Sequence, residues 1–307
     1  MKNNLSLAVV VPAYNEESTI SSVIQNLNYS IQLINEISYF EVVIVNDGSS
    51  DKTEKIASGK KNTVVLSHGF NRGIGAAVRT GLQYVEKNNF DLVVKFDADL
   101  QHDTNDLIHI INPLISNNSD FVYGDRFSGD INYKMPMIRK YGNKFFTTLM
   151  KSITRYEITD SQPGLFAGNK KFLSCVSIFS DYNYTQQVLY SCYLSGLRFE
   201  QVPIQFNERK HGKSFVKLSY PFKAMFQILL LMITKNPMKT FGLLSAIFIS
   251  LSLFVSFLDL SSYFLGLTPK PIMKVNLVLG SGLIGFQLLF TGVILKSISN
   301  IENYIRK

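Results

Sequence analysis

The sequence predicts an α/β domain built on a mostly parallel sheet, followed by interfacial helices and two transmembrane helices. Three observations carry that prediction. Short apolar runs alternate with longer amphipathic stretches over the first part of the chain. Those runs are near-continuous, as in strands covered on both faces. Two long uncharged runs then occupy the last seventy or so residues.

Taken in order, residues 7–11, 42–45, 64–66, 92–96 and 121–123 read as strands, with helices at 18–27, 51–57, 72–85 and 104–115 between them. Such βαβ succession favours a parallel sheet with helices on both faces. After Gly124 the pattern is mixed: a basic amphipathic helix at 134–151, a short strand at 166–168, a helix at 184–196 and an extended stretch at 198–206. Residues 215–234 are largely apolar but broken by Lys217, Pro221 and Lys223, which suits helices lying in a membrane interface. The runs 240–258 and 275–295 hold 19 and 21 residues without a charge. Each would be about 30 Å long as a helix, the thickness of a bilayer's hydrocarbon core. The expected division is a domain at 1–214, interfacial amphipathic helices at 215–237, and a transmembrane hairpin at 238–307 with spans near 240–260 and 275–296 and a short tail.

Charge is distributed to match. Residues 1–207 hold 19 Lys+Arg against 20 Asp+Glu, whereas residues 208–307 hold 12 against 3. A basic chain often binds nucleic acid, but here the basic residues flank apolar runs, which points to anionic lipid headgroups instead. Lys235, Lys239, Lys296, Arg306 and Lys307 flank the outer ends of the hairpin, against Lys270 and Lys274 in its connection. The positive-inside rule then puts both ends, and the domain before them, in the cytoplasm. The opening apolar stretch 5–12 is too short for a signal peptide. Cys175 and Cys192 form no metal or redox motif, and a reducing compartment disfavours a disulfide between them.

Open α/β sheets bind ligands at the carboxyl ends of their strands. That rule selects three polar clusters: 12–17 after the first strand, 46–50 after the second and 97–102 after the fourth. The last, in FDADLQH, sets Asp97, Asp99 and Gln101 at alternate positions. Oxygen donors so clustered suit a hard cation, Mg²⁺ or Mn²⁺. The alternative is a polar turn whose Asp caps the next helix.

With VPAYNEE (11–17), VNDGSSDKT (45–53) and DADLQ (97–101) in this order, the chain resembles the family-2 glycosyltransferases over about residues 5–215. It looks most like the dolichol-phosphate mannose synthases and bacterial polyprenyl-phosphate glycosyltransferases that carry a membrane hairpin. The resemblance implies a nucleotide-sugar-binding domain, Rossmann-like and of the GT-A type, that inverts the anomeric centre. It implies that Pro12, Ala13, Tyr14 and Glu16 line the base and ribose and that Asp47 hydrogen-bonds the base, with an Asx-turn role as the alternative. Asp97, Ala98, Asp99 and Gln101 match the motif for metal and nucleotide sugar, Asp99 and Gln101 being the foremost ligands. Asp97 either joins that shell or contacts ribose or sugar.

By the same resemblance Arg126, in YGDRF (123–127), faces the phosphates, and Arg139 is a second arginine on the following helix or a lipid contact. Arg209 and Ser214, with Lys213 between them, match an RxxGxS loop for the acceptor phosphate. Asp160 sits where relatives place an acceptor-side residue, as general base or orienting group. Phe215 and Ile74 depart from the family, which has lysines at those places. The glycine-rich stretch 71–77 is expected to let a helix pack closely on the sheet rather than to cradle phosphate.

The expected activity is metal-dependent transfer of a hexose from a GDP- or UDP-sugar to a polyprenyl phosphate at the cytoplasmic membrane face, catalysed by Asp99, Asp160, Arg126 and Arg209. Alternatives are a non-processive transferase acting on a glycan or lipid-linked oligosaccharide, and an inactive membrane-tethered nucleotide-sugar-binding protein. A processive synthase with QxxRW is disfavoured, since the chain has no tryptophan. The hairpin and amphipathic helices also leave room for a homo-oligomer.

Overall fold

A computed structural model describes residues 4–128, 137–181, 184–207 and 220–305. The chain divides into two compact units, Met1–Pro221 and Phe222–Lys307.

The first unit is a seven-stranded sheet. Its strands are β1 (Leu5–Ala13), β2 (Ile37–Asn46), β3 (Thr63–Ser67), β4 (Leu92–Lys95), β5 (Phe121–Asp125), β6 (Phe166–Asn169) and β7 (Phe199–Pro203), in the order β3-β2-β1-β4-β6-β5-β7. All neighbours are parallel except β6, which runs antiparallel to both β4 and β5. The chain steps outward from β1 through β2 to β3 and then returns to place β4 on the other side of β1. That reversal makes the carboxyl ends of β1 and β4 the natural crevice of the sheet. Val10 pairs with Lys95, so the residues that follow each leave the sheet at the same edge.

Strands and helices lie close to where the apolar pattern puts them. Val9, Val10, Val11, Val42, Val43 and Ile44 are fully buried, because helices cover both faces. Between the strands run α1 (Ile20–Gln32), α2 (Thr53–Ser58), α3 (Ile74–Lys87), α4 (Asp106–Ile115), α5 (Met137–Thr154), α6 (Lys170–Cys175) and α7 (Thr185–Leu194). Helix α1 continues past Leu27, since Ser30 and Ile31 still face the core. The short α6 is absent from the sequence pattern; Asn169 starts it by accepting from the backbone N–H of Lys171 (3.0 Å) and of Phe172 (3.2 Å).

The glycines of α3 make two different close approaches. A Cβ on Gly81 would lie 2.2 Å from Val10 Cγ1, so this glycine brings the helix onto the sheet. A Cβ on Gly75 would lie 2.4 Å from the Ser180 carbonyl oxygen. Within the glycine-rich stretch, therefore, Gly75 admits a loop, and the approach to the sheet is made further along, at Gly81.

In the chain that follows, α8 (Tyr220–Lys235) is one continuous helix. Pro221 falls in its first turn, where a missing N–H costs nothing. Helices α9 (Pro237–Phe264) and α10 (Val275–Ile305) form an antiparallel pair long and apolar enough to cross a membrane. Small residues let them approach: a Cβ on Gly285 would lie 2.6 Å from Ile249 Cγ1, and Ser252 Oγ donates to the Val278 carbonyl (2.7 Å). Asp259 closes the connection by accepting from the backbone N–H of Met273 (2.9 Å) and Lys274 (2.8 Å), at the start of α10.

Candidate active site

The loops after β1 and β2 are laced together. The Asp47 N–H donates to the Ala13 carbonyl (2.9 Å), the Asn15 N–H to Ser49 Oγ (3.0 Å), the Ser50 N–H to Asn15 Oδ1 (2.8 Å) and the Glu16 N–H to Thr53 Oγ1 (2.8 Å). Asn15 takes a left-handed φ of 55°, which asparagine tolerates well. Pro12 and Tyr14 are half-buried on this ledge, and Glu16 accepts from the Thr19 hydroxyl (2.9 Å).

Asp47, expected to hydrogen-bond a base or to serve an Asx turn, binds its own chain through the carboxylate. It is buried, and its carboxylate accepts from His68 Nδ1 (2.6 Å), the Arg72 N–H (3.0 Å) and the Gly73 N–H (2.7 Å). Most of its acceptor capacity is therefore spent on its own chain. It clamps the 68–73 loop, which carries the exposed Phe70 and packs against Gly48, where a Cβ would lie 2.4 Å from the Phe70 carbonyl carbon.

On the other side of β1, the string after β4 is pinned by the segment that leaves β7. Gln101 Nε2 donates to the Asn207 carbonyl (3.1 Å), the Asn207 N–H returns a bond to Gln101 O (2.8 Å), and His102 and Phe206 form a β-bridge. Because the amide nitrogen of Gln101 is committed, its oxygen is the end available to a cation. Asp99 accepts from the Gln101 N–H (3.2 Å), and Leu100 between them holds a left-handed φ of 60°, a strained value of the kind found at functional sites. Ala98 is buried beneath. Asp99 and Gln101 thus give a hard-oxygen donor set that fits Mg²⁺ or Mn²⁺, whose remaining positions phosphate oxygens and water normally fill.

Asp97 is held more tightly. Lys95 is fully buried, and its ammonium donates to Asp97 Oδ1 and to the Gly164 carbonyl (2.7 Å). The other Asp97 oxygen lies 3.4 Å from Nε2 of His102, itself buried between Phe96 and Phe206. Burial works against the charge of Asp97, but the Lys95 ammonium outweighs it and keeps the carboxyl well below the usual carboxylate range.

Arg126, at the end of β5, donates from Nε to Asp160 Oδ2 (2.6 Å) and from Nη2 to Asp160 Oδ1 (3.0 Å) and the Gln162 carbonyl (2.6 Å). Its guanidinium also stacks over the Phe206 ring at 5.2 Å. Asp160 is fully buried and accepts further from Asn143 Nδ2 (2.8 Å) on α5 and from the Gln162 N–H (3.0 Å). Burial alone would raise its pKa; the facing guanidinium more than cancels that and lowers it. Of the two expected roles, general base or orienting group, the pairing to Arg126 favours the second, since a carboxylate so held is a poor proton acceptor. It holds Arg126 and the 160–164 segment in place.

The structure thus brings together Pro12, Ala13, Tyr14, Glu16, Asp47, Asp97, Ala98, Asp99, Gln101, Arg126 and Asp160 at the carboxyl edge of one sheet. Arg139 lies in α5, one turn before Asn143. Arg209, Lys213 and Ser214 fall outside the described residues, as do Lys210 and Phe215. Sequence reasoning missed Lys95, Asn143 and Gly164, and placed His102 in the 97–102 cluster without giving it a role. The signal for the first was present: a lysine inside an otherwise apolar buried run.

A reversal in strand order with polar loops converging on it defines an α/β domain of the kind that takes its ligand at the carboxyl edge of the sheet. Residues 8–177 match Glycosyl transferase family 2, and the chain belongs to that family. A protein of Methanocaldococcus jannaschii with no assigned function is 31% identical over 238 residues, 74% of this chain and 93% of that one. The UDP-N-acetylglucosamine–dolichyl-phosphate N-acetylglucosaminyltransferase of Methanococcus voltae is 32% identical over 186 residues, 55% of this chain and 71% of its own. The dolichol-phosphate mannosyltransferase of Pyrococcus furiosus is 26% identical over 235 residues, 74% and 64% of the two chains. Glucosyl-3-phosphoglycerate synthase from Mycobacterium tuberculosis, solved with Mn²⁺, UDP and glucosyl-3-phosphoglycerate, shares the fold at a TM-score of 0.56 and 20% identity, over 75% of this chain and 80% of that one. The protein is accordingly a family-2 glycosyltransferase with dolichyl-phosphate sugar transferases among its relatives.

Proposed function

We infer that this enzyme transfers a hexose from a nucleoside diphosphate sugar to a polyprenyl phosphate at the cytoplasmic face of a membrane, with inversion. The observation that carries the reading is one sheet edge that joins the β1–β2 ledge, the Asp99–Gln101 oxygen pair and the fixed Arg126, in a chain that goes on to two membrane-length apolar helices. The relatives named for dolichyl phosphate support the acceptor class.

In this reading the base and ribose lie along Pro12–Glu17 and the 68–73 loop, and the diphosphate extends toward Asp99, Gln101 and Arg126. Bound there, Mg²⁺ or Mn²⁺ would offset the charge of the departing diphosphate. An oxygen of the lipid phosphate attacks the anomeric carbon in line as the bond from that carbon to the diphosphate oxygen breaks, releasing the nucleoside diphosphate. The acceptor is already anionic near neutral pH, so no base is required, in keeping with the pairing of Asp160 to Arg126. The protein's contribution is positioning and fixed charge. Arg209, Lys213 and Ser214 are assigned to the acceptor phosphate, and Arg139 to the same region, by the RxxGxS resemblance.

The test is a screen of UDP- and GDP-hexoses against polyprenyl phosphate and glycan primers, with products identified by mass spectrometry. A hexosyl phospholipid that disappears with Asp99→Ala, in a protein that still folds in the membrane, is the expected result. Product only on glycan primers would move the enzyme to a different acceptor class.

A further inference from the structure

Gln287 is a polar side chain that neither the packing of the hairpin nor the transfer reaction uses. It lies in α10, inside the uncharged run 275–295 and close to its middle. Gly282, Gly285 and Gly292 make the approach to α9. Two residues past Gly285, about 200° further round the helix, Gln287 is exposed on the opposite face. Its side-chain amide has no hydrogen-bond partner among the described residues, the Thr291 hydroxyl donating to its backbone carbonyl instead (2.8 Å). The nearer end of the run, Leu295, is about 12 Å away along the axis, too far for a glutamine side chain to reach water. In hydrocarbon, an amide so exposed is costly unless another helix supplies a partner at the same depth.

The residues around it show what kind of helix that is. Gly280, Leu283, Gln287, Phe290 and Ile294 follow one another at alternating spacings of three and four, a heptad seam along the outer face of α10. Leu283 and Phe290 are each 64% exposed, and Ile294 is 56% exposed. A seam of this kind packs on a like seam, and a lone polar residue within it sets register and partner number. Copies of one chain enter a membrane in one orientation, so a two-fold axis between them runs along the membrane normal and sets each seam residue opposite its counterpart. Gln287 then meets Gln287 of the partner subunit at equal depth. An amide is its own complement, since the NH₂ of each donates to the carbonyl oxygen of the other.

We propose that the outer seam of α10 is a docking surface for a second copy of this chain, closed at its centre by reciprocal hydrogen bonds between the two Gln287 side chains. This rests on the reading that the hairpin crosses the membrane.

The test uses the full chain, with Cys175→Ser and Cys192→Ala, in native membranes. Oxidation should join copies through Leu283→Cys, on the seam. It should leave Phe286→Cys, at a site 57% exposed but about 100° round from Gln287, as single chains. In vesicles, energy transfer between chains carrying donor and acceptor dyes should show Gln287→Leu weakening association by about three- to thirtyfold. Gln287→Asn keeps the amide and should stay within about threefold of wild type. Leucine favours insertion, so weaker association of Gln287→Leu is not a failure to enter the membrane. Equal association of Gln287→Leu and wild type, or joining through Phe286→Cys as strong as through Leu283→Cys, overturns the proposal. A wild-type chain that resists alkaline carbonate extraction yet stays single at high density also overturns it, and leaves the spanning reading standing. A chain that carbonate strips from the membrane ends the spanning reading and takes the proposal with it.

Discussion

Asp160 shows how far one buried carboxylate can be from the role its position suggests. Its folded pKa is lowered, so it contributes stability that is fully present above the unfolded value, about 3.9, and lost as pH falls through the folded one. At neutral pH it is ionised in both states and does not titrate. Asp160→Asn keeps the shape but takes from the largely buried Arg126 its hydrogen-bonded counter-charge, which should cost about 3 kcal/mol at neutral pH. Thermal melts should show the gap from wild type narrowing as pH is lowered below the unfolded carboxylate range, and the pH profile of transfer should carry no limb from Asp160 near neutrality. A gap that stays constant with pH would mean the charge is not what stabilises. Gly164 is the second such residue. Gly164→Ala places a methyl against Asp97 and His102, an overpacking that should cost about 1–3 kcal/mol and displace Asp97. Transfer should fall more steeply than the melting temperature, because the displaced group faces the crevice.

At the scale of elements, α3 and β1 meet at one point that tolerates no added atom. Gly81→Ala puts Cβ 2.2 Å from a γ-methyl of Val10, and valine is stiff at χ1, so the helix must lift or the strand must shift. The expected cost is about 1–3 kcal/mol. Val10→Ala in the same chain should return part of it, which a double-mutant cycle of melting temperatures would read. The elements were legible in the sequence because the buried strands are apolar throughout and the helices amphipathic. So was the sheet edge, since the three polar clusters follow apolar runs directly. The pairings were not. That Lys95 meets Asp97 and Gly164, or that Asn143 on α5 holds Asp160, depends on β6 entering the sheet antiparallel between β4 and β5. No local pattern announces that insertion. The partners of Asp47 were hidden for a related reason: His68, Arg72 and Gly73 come from a loop 21 to 26 residues away.

For the whole molecule, the placement of charge around the two apolar helices makes the orientation testable. Lys235 ends α8, Lys239 lies in the first turn of α9 and Lys296 late in α10, with Arg306 and Lys307 following in the sequence, whereas the connection carries Lys270 and Lys274. Five basic residues against two favour both ends of the hairpin inside. Asp259 draws the connection tight against the start of α10, so Leu267, 74% of whose neighbour Leu265 is exposed and which is itself 73% exposed, stands at its outer turn. In a chain with Cys175→Ser and Cys192→Ala, Leu267→Cys should react with a membrane-impermeant maleimide in intact cells. Asn300→Cys, near the end of α10, should react only after the membrane is opened. The reverse pattern would put the sheet's crevice on the side away from cytoplasmic nucleotide sugars, and the proposed reaction could not run at that face.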